Sequence, residues 1–209
     1  EGTFYDAWAF AAAAEKRIND KHSLSLTLMG APTKRGQQAG STQEAYDLTP
    51  KRTFFRTESS RYGNNFYNAN WGYQNGVVRN AKQVKTFTPI AILSHEWKID
   101  DISKLTTSIG YKCQMDGRTA MNWYKAADPR PDYYRNLPNY HITMDNPAAA
   151  EVREELWRTD ESYRQVNWDG MYQTNYLANE TGKSGRYMIE NRRNDQQVIT
   201  ANSVLNYTF

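Results

Sequence analysis

Three residue sets in this chain have the types for chemistry, and each implies a different reaction. The histidines are His22, His95 and His141; none stands in an HExxH or CxxC spacing and each falls in a different stretch, so no metal site is expected. The acidic pair of "DDISK", Asp100 and Asp101, lacks the ligand spacing and the glycine of a calcium loop and reads as a turn. Hydrolysis needs a nucleophile beside a base, or two carboxylates facing across a cleft; Asp128, Asp132 and Asp169 lie in polar stretches with no motif around them. No catalytic residue is therefore assigned, and neither enzymatic activity nor a cofactor is expected. The third set is aromatic. In "NWYKAADPRPDYYRNLP" the rings of Trp123, Tyr124, Tyr133 and Tyr134 stand among Asp128, Arg130 and Arg135, with Pro129, Pro131 and Pro138 restricting the backbone. With Trp71, Tyr73 and Trp168 they make a candidate surface for stacking on a sugar, a peptide or a metal chelate. The competing reading is that these rings pack loop on loop.

The elements that must position them are strands. "HSLSLTLMG" alternates Leu24, Leu26 and Leu28 with Ser23, Ser25 and Thr27. "KLTTSIGYKCQMDG" places Leu105, Ile109, Tyr111, Cys113 and Met115 on one face, and its alternation lasts about twelve residues where soluble strands run about five or six. A tilted strand crosses a bilayer in roughly 9–11 residues. "QVITANSVLNYTF" sets Ile199, Ala201, Leu205, Tyr207 and Phe209 against Thr200, Asn202, Asn206 and Thr208. "TPIAILSHEWKI", apolar but poorly alternating, is a fourth candidate strand, with Pro89 at its start or on an edge and Trp97 as an interfacial anchor. "YDAWAFAAAAEKRI" has good helix propensity, but it runs directly into a polar turn and the leucine strand, so it reads as a hairpin arm.

The joints "RINDKHSLSL" and "WKIDDISKLTTS" share an Asn/Asp-Asp pair followed by a leucine that opens an alternating strand, a weak internal repeat of strand, tight turn and strand. Between the hairpins the connections are long, roughly 55 and roughly 75 residues, where compact soluble domains use about four to six. Within them "STQEAYDL" carries a capping box from Ser41 to Glu44, and "NPAAAEVREELWRT" offers Asn146 as cap with Pro147 at the first helical position, so each predicts a short helix.

Composition excludes several classes. The 209 residues include 23% charged side chains and a net charge of +3, with Lys and Arg scattered rather than striped, which argues against a nucleic-acid partner. No window approaches the apolar length of a membrane helix, which leaves a barrel open because barrel strands hide their hydrophobicity by alternation. The lone Cys113 forms no internal disulfide and reads as a small apolar side chain in a strand. Fifteen Tyr and six Trp suit either a membrane-interface belt or a ligand surface.

The tracts "NANWGYQNGVVRNAK", "SHEWKIDDISKLTTSIGYK", "AMNWYKAADPRPDYYRNLP", "VNWDGMYQTNYL" and "RYMIENRRND" together resemble the barrel of TonB-dependent receptors of the Bacteroidota outer membrane. The resemblance implies a barrel of about 22 strands, an N-terminal plug, a box that engages TonB, and import driven by the inner-membrane proton gradient. The expected fold class is all-β: an antiparallel up-and-down transmembrane β-barrel segment of about five strands, with short periplasmic turns and long extracellular loops holding short helices. Residues 1–209 then form part of one barrel domain, with plug and remaining strands outside them. Any export signal lies upstream of Glu1 or has been removed, and Phe209 falls just before a further periplasmic turn. Leu24, Leu26, Leu28, Leu105 and Ile109 are expected to face lipid. The partners implied are outer-membrane lipid, the TonB complex through the plug, a surface lipoprotein lid, and a small solute, oligosaccharide or peptide. The sequons at Asn179 and Asn206 carry no meaning in a bacterial outer membrane. The rival readings are a soluble β-rich glycan- or peptide-binding module, in which the leucines are a buried core, and a secreted hydrolase.

Overall fold

The computed structural model describes residues 2–51 and 61–208; Phe209 lies outside them. The chain divides into two compact units. The sheet unit comprises Tyr5–Arg35, Val84–Arg118 and Arg192–Phe209; the loop unit comprises Glu1–Phe4, Gly36–Gln83 and Thr119–Asn191. In chain order the strands are β1 (Phe4–Ala7), β2 (Phe10–Arg17), β3 (His22–Gly30), β4 (Thr33–Gly36), β5 (Trp71–Gln74), β6 (Val77–Asn80), β7 (Gln83–Phe87), β8 (Ile90–Lys98), β9 (Ser103–Trp123) and β10 (Tyr187–Tyr207). The helices are α1 (Gln43–Leu48), α2 (Pro138–Thr143), α3 (Pro147–Thr159) and α4 (Trp168–Glu180).

Eight of the strands form one antiparallel sheet in which β2 pairs β3, β3 pairs β8, β8 and β7 pair β9, and β10 takes the other side of β9. Three passes of this meander are interrupted, and two interruptions have a plain cause. Pro32 and Pro89 carry no N–H for the ladder, so the strand breaks there while their carbonyls accept from Trp8 N (3.3 Å) and Cys113 N (3.1 Å). Short turns join β2 to β3 and β8 to β9, and the two long connections join the opposite strand ends. Among the described residues no strand covers the free edges of β2 and β10, and the sheet does not close.

The repeat seen at the two tight joints is repeated in hydrogen bonds. Ile18 N donates to His22 O (2.9 Å) and Ile99 N to Ser103 O (3.0 Å). Asn19 Oδ1 accepts from Lys21 and His22 N, as Asp100 Oδ1 accepts from Ile102 N. That backbone bond is the first cause holding the Asp100 carboxyl below the usual carboxylate range. The alanine-rich arm is a strand despite its helix propensity, because every residue from Phe10 to Arg17 has a partner on β3, from Gly30 to Ser23. Two strands are longer than their patterns suggest: β9 runs on to Trp123, and β10 begins at Tyr187 rather than at Gln197. In the added part of β10, Tyr187 and Ile189 pack against the core of the loop unit and the polar run Asn191 to Asn194 is exposed.

Register assigns the faces. Leu26 sits opposite Leu93, and Leu93 opposite Ile109; Leu28, Ala91 and Tyr111 align one step along, and Trp97 aligns with Leu105. The five leucine and isoleucine positions read from the alternation thus share one face. The other face carries Ser25, Ser94 and Ser108 in a row, with Ser94 and Ser108 hydroxyls 2.8 Å apart, and the Lys104–Glu96 pair at 2.7 Å. The apolar face is bare: Leu24, Leu26, Leu28 and Ile109 keep 37%, 41%, 39% and 50% of their surface, and Leu105 is half-buried. Among the described residues, Val84 is the one buried apolar side chain outside Gly that the sheet unit holds; the remaining core residues belong to the loop unit.

The loop unit has two clusters. In the first, Trp157 is fully buried with Tyr67 edge-on at 5.3 Å, beside Ala45 and Leu137. Its indole donates to Thr49 Oγ1 (3.0 Å), which itself donates to Ala45 O (2.6 Å), so the polar atoms in that core are paired. The second cluster joins Ala81, Val166, Trp168 and Met171. The hairpin β5–β6 turns through Asn75 (φ 50°) and Gly76 (φ 76°), a left-handed pair of the Asn-Gly type whose sequence signal is strong. Asn146 caps α3 at Ala149 N with Pro147 following, as expected. The cap expected at Ser41 falls on Thr42, whose Oγ1 accepts from Ala45 N; Ser41 is engaged elsewhere.

Candidate functional site

The site is built on the segment between β9 and α2, in the loop unit. Asp128, whose side chain is 6% exposed, turns the chain by accepting from Arg130 N (3.0 Å) and then grips the Arg130 guanidinium through Nε (2.9 Å) and Nη2 (2.6 Å). Two flanking prolines restrict the backbone so that this fork is held ready rather than assembled on demand. The hydrogen bond to Asp128 is the first cause that raises the Arg130 pKa further. The same guanidinium lies 5.3 Å from the centre of the Trp123 ring.

Beyond it, Ser41 Oγ donates to Asp132 Oδ2 at 2.6 Å. Burial pushes the Asp132 carboxyl above its usual range, outweighing the Ser41 bond and the charge of Arg130. Gly40, Ser41, Thr42, Arg130, Asp132, Tyr133 and Tyr134 line a cleft of about 320 Å³. Tyr133 and Tyr134 meet at 4.7 Å, Tyr134 and Tyr140 at 5.4 Å, and the Arg135 guanidinium lies 5.6 and 5.7 Å from the rings of Tyr134 and Tyr140. Arg135 Nε donates to the Tyr134 hydroxyl (3.0 Å) and is the first cause that lowers its pKa. The cleft offers hydroxyl donors, a carboxyl acceptor and exposed ring edges, which suits a polyhydroxylated or peptide ligand.

The expected ligand residues are thus distributed unevenly. Arg130, Tyr133 and Tyr134 converge on this cleft, Arg135 supports it, and Trp123 backs the Arg130 fork. Tyr124 and Tyr73 are exposed, the first with the Lys125 ammonium 5.2 Å from its ring. Trp71 and Trp168 are 5% and 2% exposed and neither lines this cleft. Loop aromatics without periodicity give no sign of which way they point, which is why the sequence could not separate them.

Two groupings escaped the sequence. His22 and His95 are neighbours, Nδ1 and Nε2 lying 3.0 Å apart with the rings 6° from parallel, because β3 and β8 pair directly. The expectation that the histidines stand apart is corrected for this pair, while among the described residues no group of three or more metal-ligating side chains assembles. The other is Arg79, whose guanidinium carbon sits 4.1 Å from the centre of the Trp168 ring. The Asn75-Gly76 hairpin signal could have placed Arg79 on β6, though not over a tryptophan of α4. No family model, curated protein or solved structure matches the chain.

Proposed function

We propose that the sheet unit is an arc of the wall of an outer-membrane β-barrel, and that the protein is a TonB-dependent transporter that captures a scarce solute outside the cell and passes it to the periplasm. The observation that carries this reading is the bare leucine face. A sheet in water must bury one face against a second layer; here none of the described residues covers it.

Other features agree. Phe10 and Phe87 approach over Gly30, where an added Cβ would meet their rings at 2.7 and 3.0 Å, and Trp8 stacks beside Phe10 at 5.6 Å. At the other end of the band stands Trp97. From Met115, paired with Phe87, to Leu105, paired with Trp97, the ten steps of β9 span roughly 33 Å, or roughly 25 Å of depth at a tilt of about 40°. A band of about that height between aromatic ends suits an outer membrane, with Lys16, His95 and Thr107 in the row of Leu24 beside the Trp97 end. The hydroxyls of Thr107 and Ser203 on this face lie 2.8 Å apart and share one hydrogen bond. The opposite face opens a cleft of about 510 Å³ lined by Glu15, Arg17, Ser23, Glu96, Lys104 and Asn206, which suits the lumen of a wet pore, and a second of about 400 Å³ in which Ile90, Ile92 and Val198 stand beside Ser108, Thr200 and Asn202. In this reading further strands of the same barrel cover the free edges, the plug and its TonB contact lie outside this stretch, and the solute undergoes no bond chemistry.

The test is site-directed spin labelling of the full chain in phospholipid vesicles, with Cys113 first replaced by Ser. Labels at Leu26 and Ile109 are expected to be accessible to oxygen and shielded from a water-soluble nickel chelate, with the reverse at Ser25 and Ser108. Nickel access on both faces, or stable dispersion of the folded chain without lipid or detergent, overturns the reading in favour of a soluble binding module.

A further inference from the structure

At the tight-turn end of the sheet unit, two imidazoles that stand 73 positions apart in the chain meet across β3 and β8. His22 pairs with Trp97 and His95 with Leu24, so the histidines are diagonal neighbours on the leucine face, a relation that brings long or aromatic side chains within reach. His22 Nδ1 and His95 Nε2 are 3.0 Å apart, the ring centres 5.2 Å apart and the ring planes 6° from parallel. Together these values set the two nitrogens face to face, sharing one N–H···N hydrogen bond. Both residues are half-buried, and the Trp97 ring lies 5.8 Å from that of His22. Among the described residues, His22 Nε2 and His95 Nδ1 have no hydrogen-bond partner.

A metal ion held by two imidazoles at about 2.0–2.1 Å each keeps their nitrogens about 2.9 Å apart at a right angle and about 3.3 Å apart at a tetrahedral one. The observed separation falls between these limits, and the ladder from His22–Trp97 to Met29–Ile90 fixes the backbones that carry both rings. The facing lone pairs converge on a point beside them by rotation about the side-chain bonds. The proton balance needs no base: the hydrogen between the rings passes through solvent to the outward nitrogen of the same imidazole, and both facing nitrogens become metal ligands. The row of His95 also carries Leu24, Lys16 and Thr107, so it adds no carboxylate or thiol. Lys16 is two strands from His95, roughly 10 Å or about one Debye length, so its charge opposes a cation only weakly. Two neutral nitrogens select borderline divalent ions, copper above nickel and zinc, over calcium and magnesium, which take oxygen ligands.

We propose that His22 and His95 form a two-point site for a divalent transition-metal ion, copper(II) the most tightly held, with the remaining coordination positions open to water or to a donor from a small ligand. His22 is the first residue of β3, so the site sits beside the turn at the Trp97 end of the band. It needs solvent access at that end alone and stands whether the leucines face lipid or water.

The full chain, purified in detergent without a histidine tag, is titrated with copper(II) in a non-coordinating buffer. Electron paramagnetic resonance with spin-echo modulation, recorded below one equivalent, counts the imidazoles on the bound ion. Two imidazoles are expected, with a dissociation constant in the micromolar range and no competition from millimolar calcium or magnesium. His22→Gln and His95→Gln are each expected to leave one imidazole and to weaken binding at least about tenfold, and His141→Gln to change neither reading. One imidazole or none on the unaltered protein, or loss of one in His141→Gln, overturns the proposal without reliance on the folding of the other two variants. Unchanged affinity in His22→Gln or His95→Gln overturns it as well. The readout is ligation rather than lipid contact, so this experiment and the spin-label experiment stand or fall separately.

Discussion

Leu26→Lys separates a lipid-facing sheet from one whose leucines face water. Leu26 lies four residues from His22, paired with Trp97, and four from Gly30, paired with Phe10, so it stands midway between the aromatic ends of the band. At about 3.3 Å per residue and a tilt of about 40°, each rim is roughly 10 Å away in depth, close to a bilayer midplane. A lysine there destabilises a barrel wall by about 2–4 kcal/mol. With 41% of its surface exposed, the same position facing water would shift stability by no more than about 0.5 kcal/mol. Thr27→Lys, one residue along and on the hydroxyl face, is the internal control and is expected to stay within about 0.5 kcal/mol. Leu26→Ala adds a third contrast, because a leucine in a protein core loses about 2–5 kcal/mol on truncation. Urea unfolding in phosphatidylcholine vesicles, followed by tryptophan fluorescence, measures all three. Equal effects of Leu26→Lys and Thr27→Lys refute the facial argument, and a core-sized loss in Leu26→Ala shows that protein rather than lipid covers the leucines.

Two further outcomes concern the loop unit. Because burial raises the Asp132 pKa, its contribution to stability is fully present below the unfolded carboxyl pKa of ~4 and is lost as pH rises through the higher folded value. Asp132→Asn is therefore expected to match the parent in thermal midpoint at about pH 3 and to exceed it at neutral pH, by near-ultraviolet circular dichroism; a parallel pH dependence in both proteins contradicts the assignment. Trp157→Ala empties a fully buried site and removes the acceptance at Thr49, so a loss of about 3–5 kcal/mol is expected; Tyr124→Ala, at an exposed ring, should stay within about 0.5 kcal/mol. Chemical denaturation of both variants checks the contrast.

What was legible in the residues themselves is local. Alternation from His22 to Met29 and from Leu105 to Met115 dictates which side chains share a face, because successive strand side chains point opposite ways. Asn19 and Asp100 dictate their turns, because a short carboxamide or carboxylate reaches back-to-back N–H groups within its own loop. Pro89 dictates the start of β8 by lacking a donor. The capping residue of α1 was misplaced by one position, since Ser41 and Thr42 are equivalent by type and only the Asp132 carboxyl, distant in sequence, draws Ser41 away.

Tertiary structure decided what each face meets and which loop residues meet each other. The sequence alone determined a ribbon with an oily side and a hydroxyl side; whether a second layer buries the oily side depends on the rest of the fold, and the structure leaves Leu24, Leu26 and Leu28 uncovered. It turned Trp71 and Trp168 inward and gathered Arg130, Asp132, Tyr133 and Tyr134 with Ser41 around one cleft, and it set Arg79 against an indole of α4. These are contacts between residues tens of positions apart, settled by packing and not by any periodicity along the chain, so composition and spacing carry no trace of them.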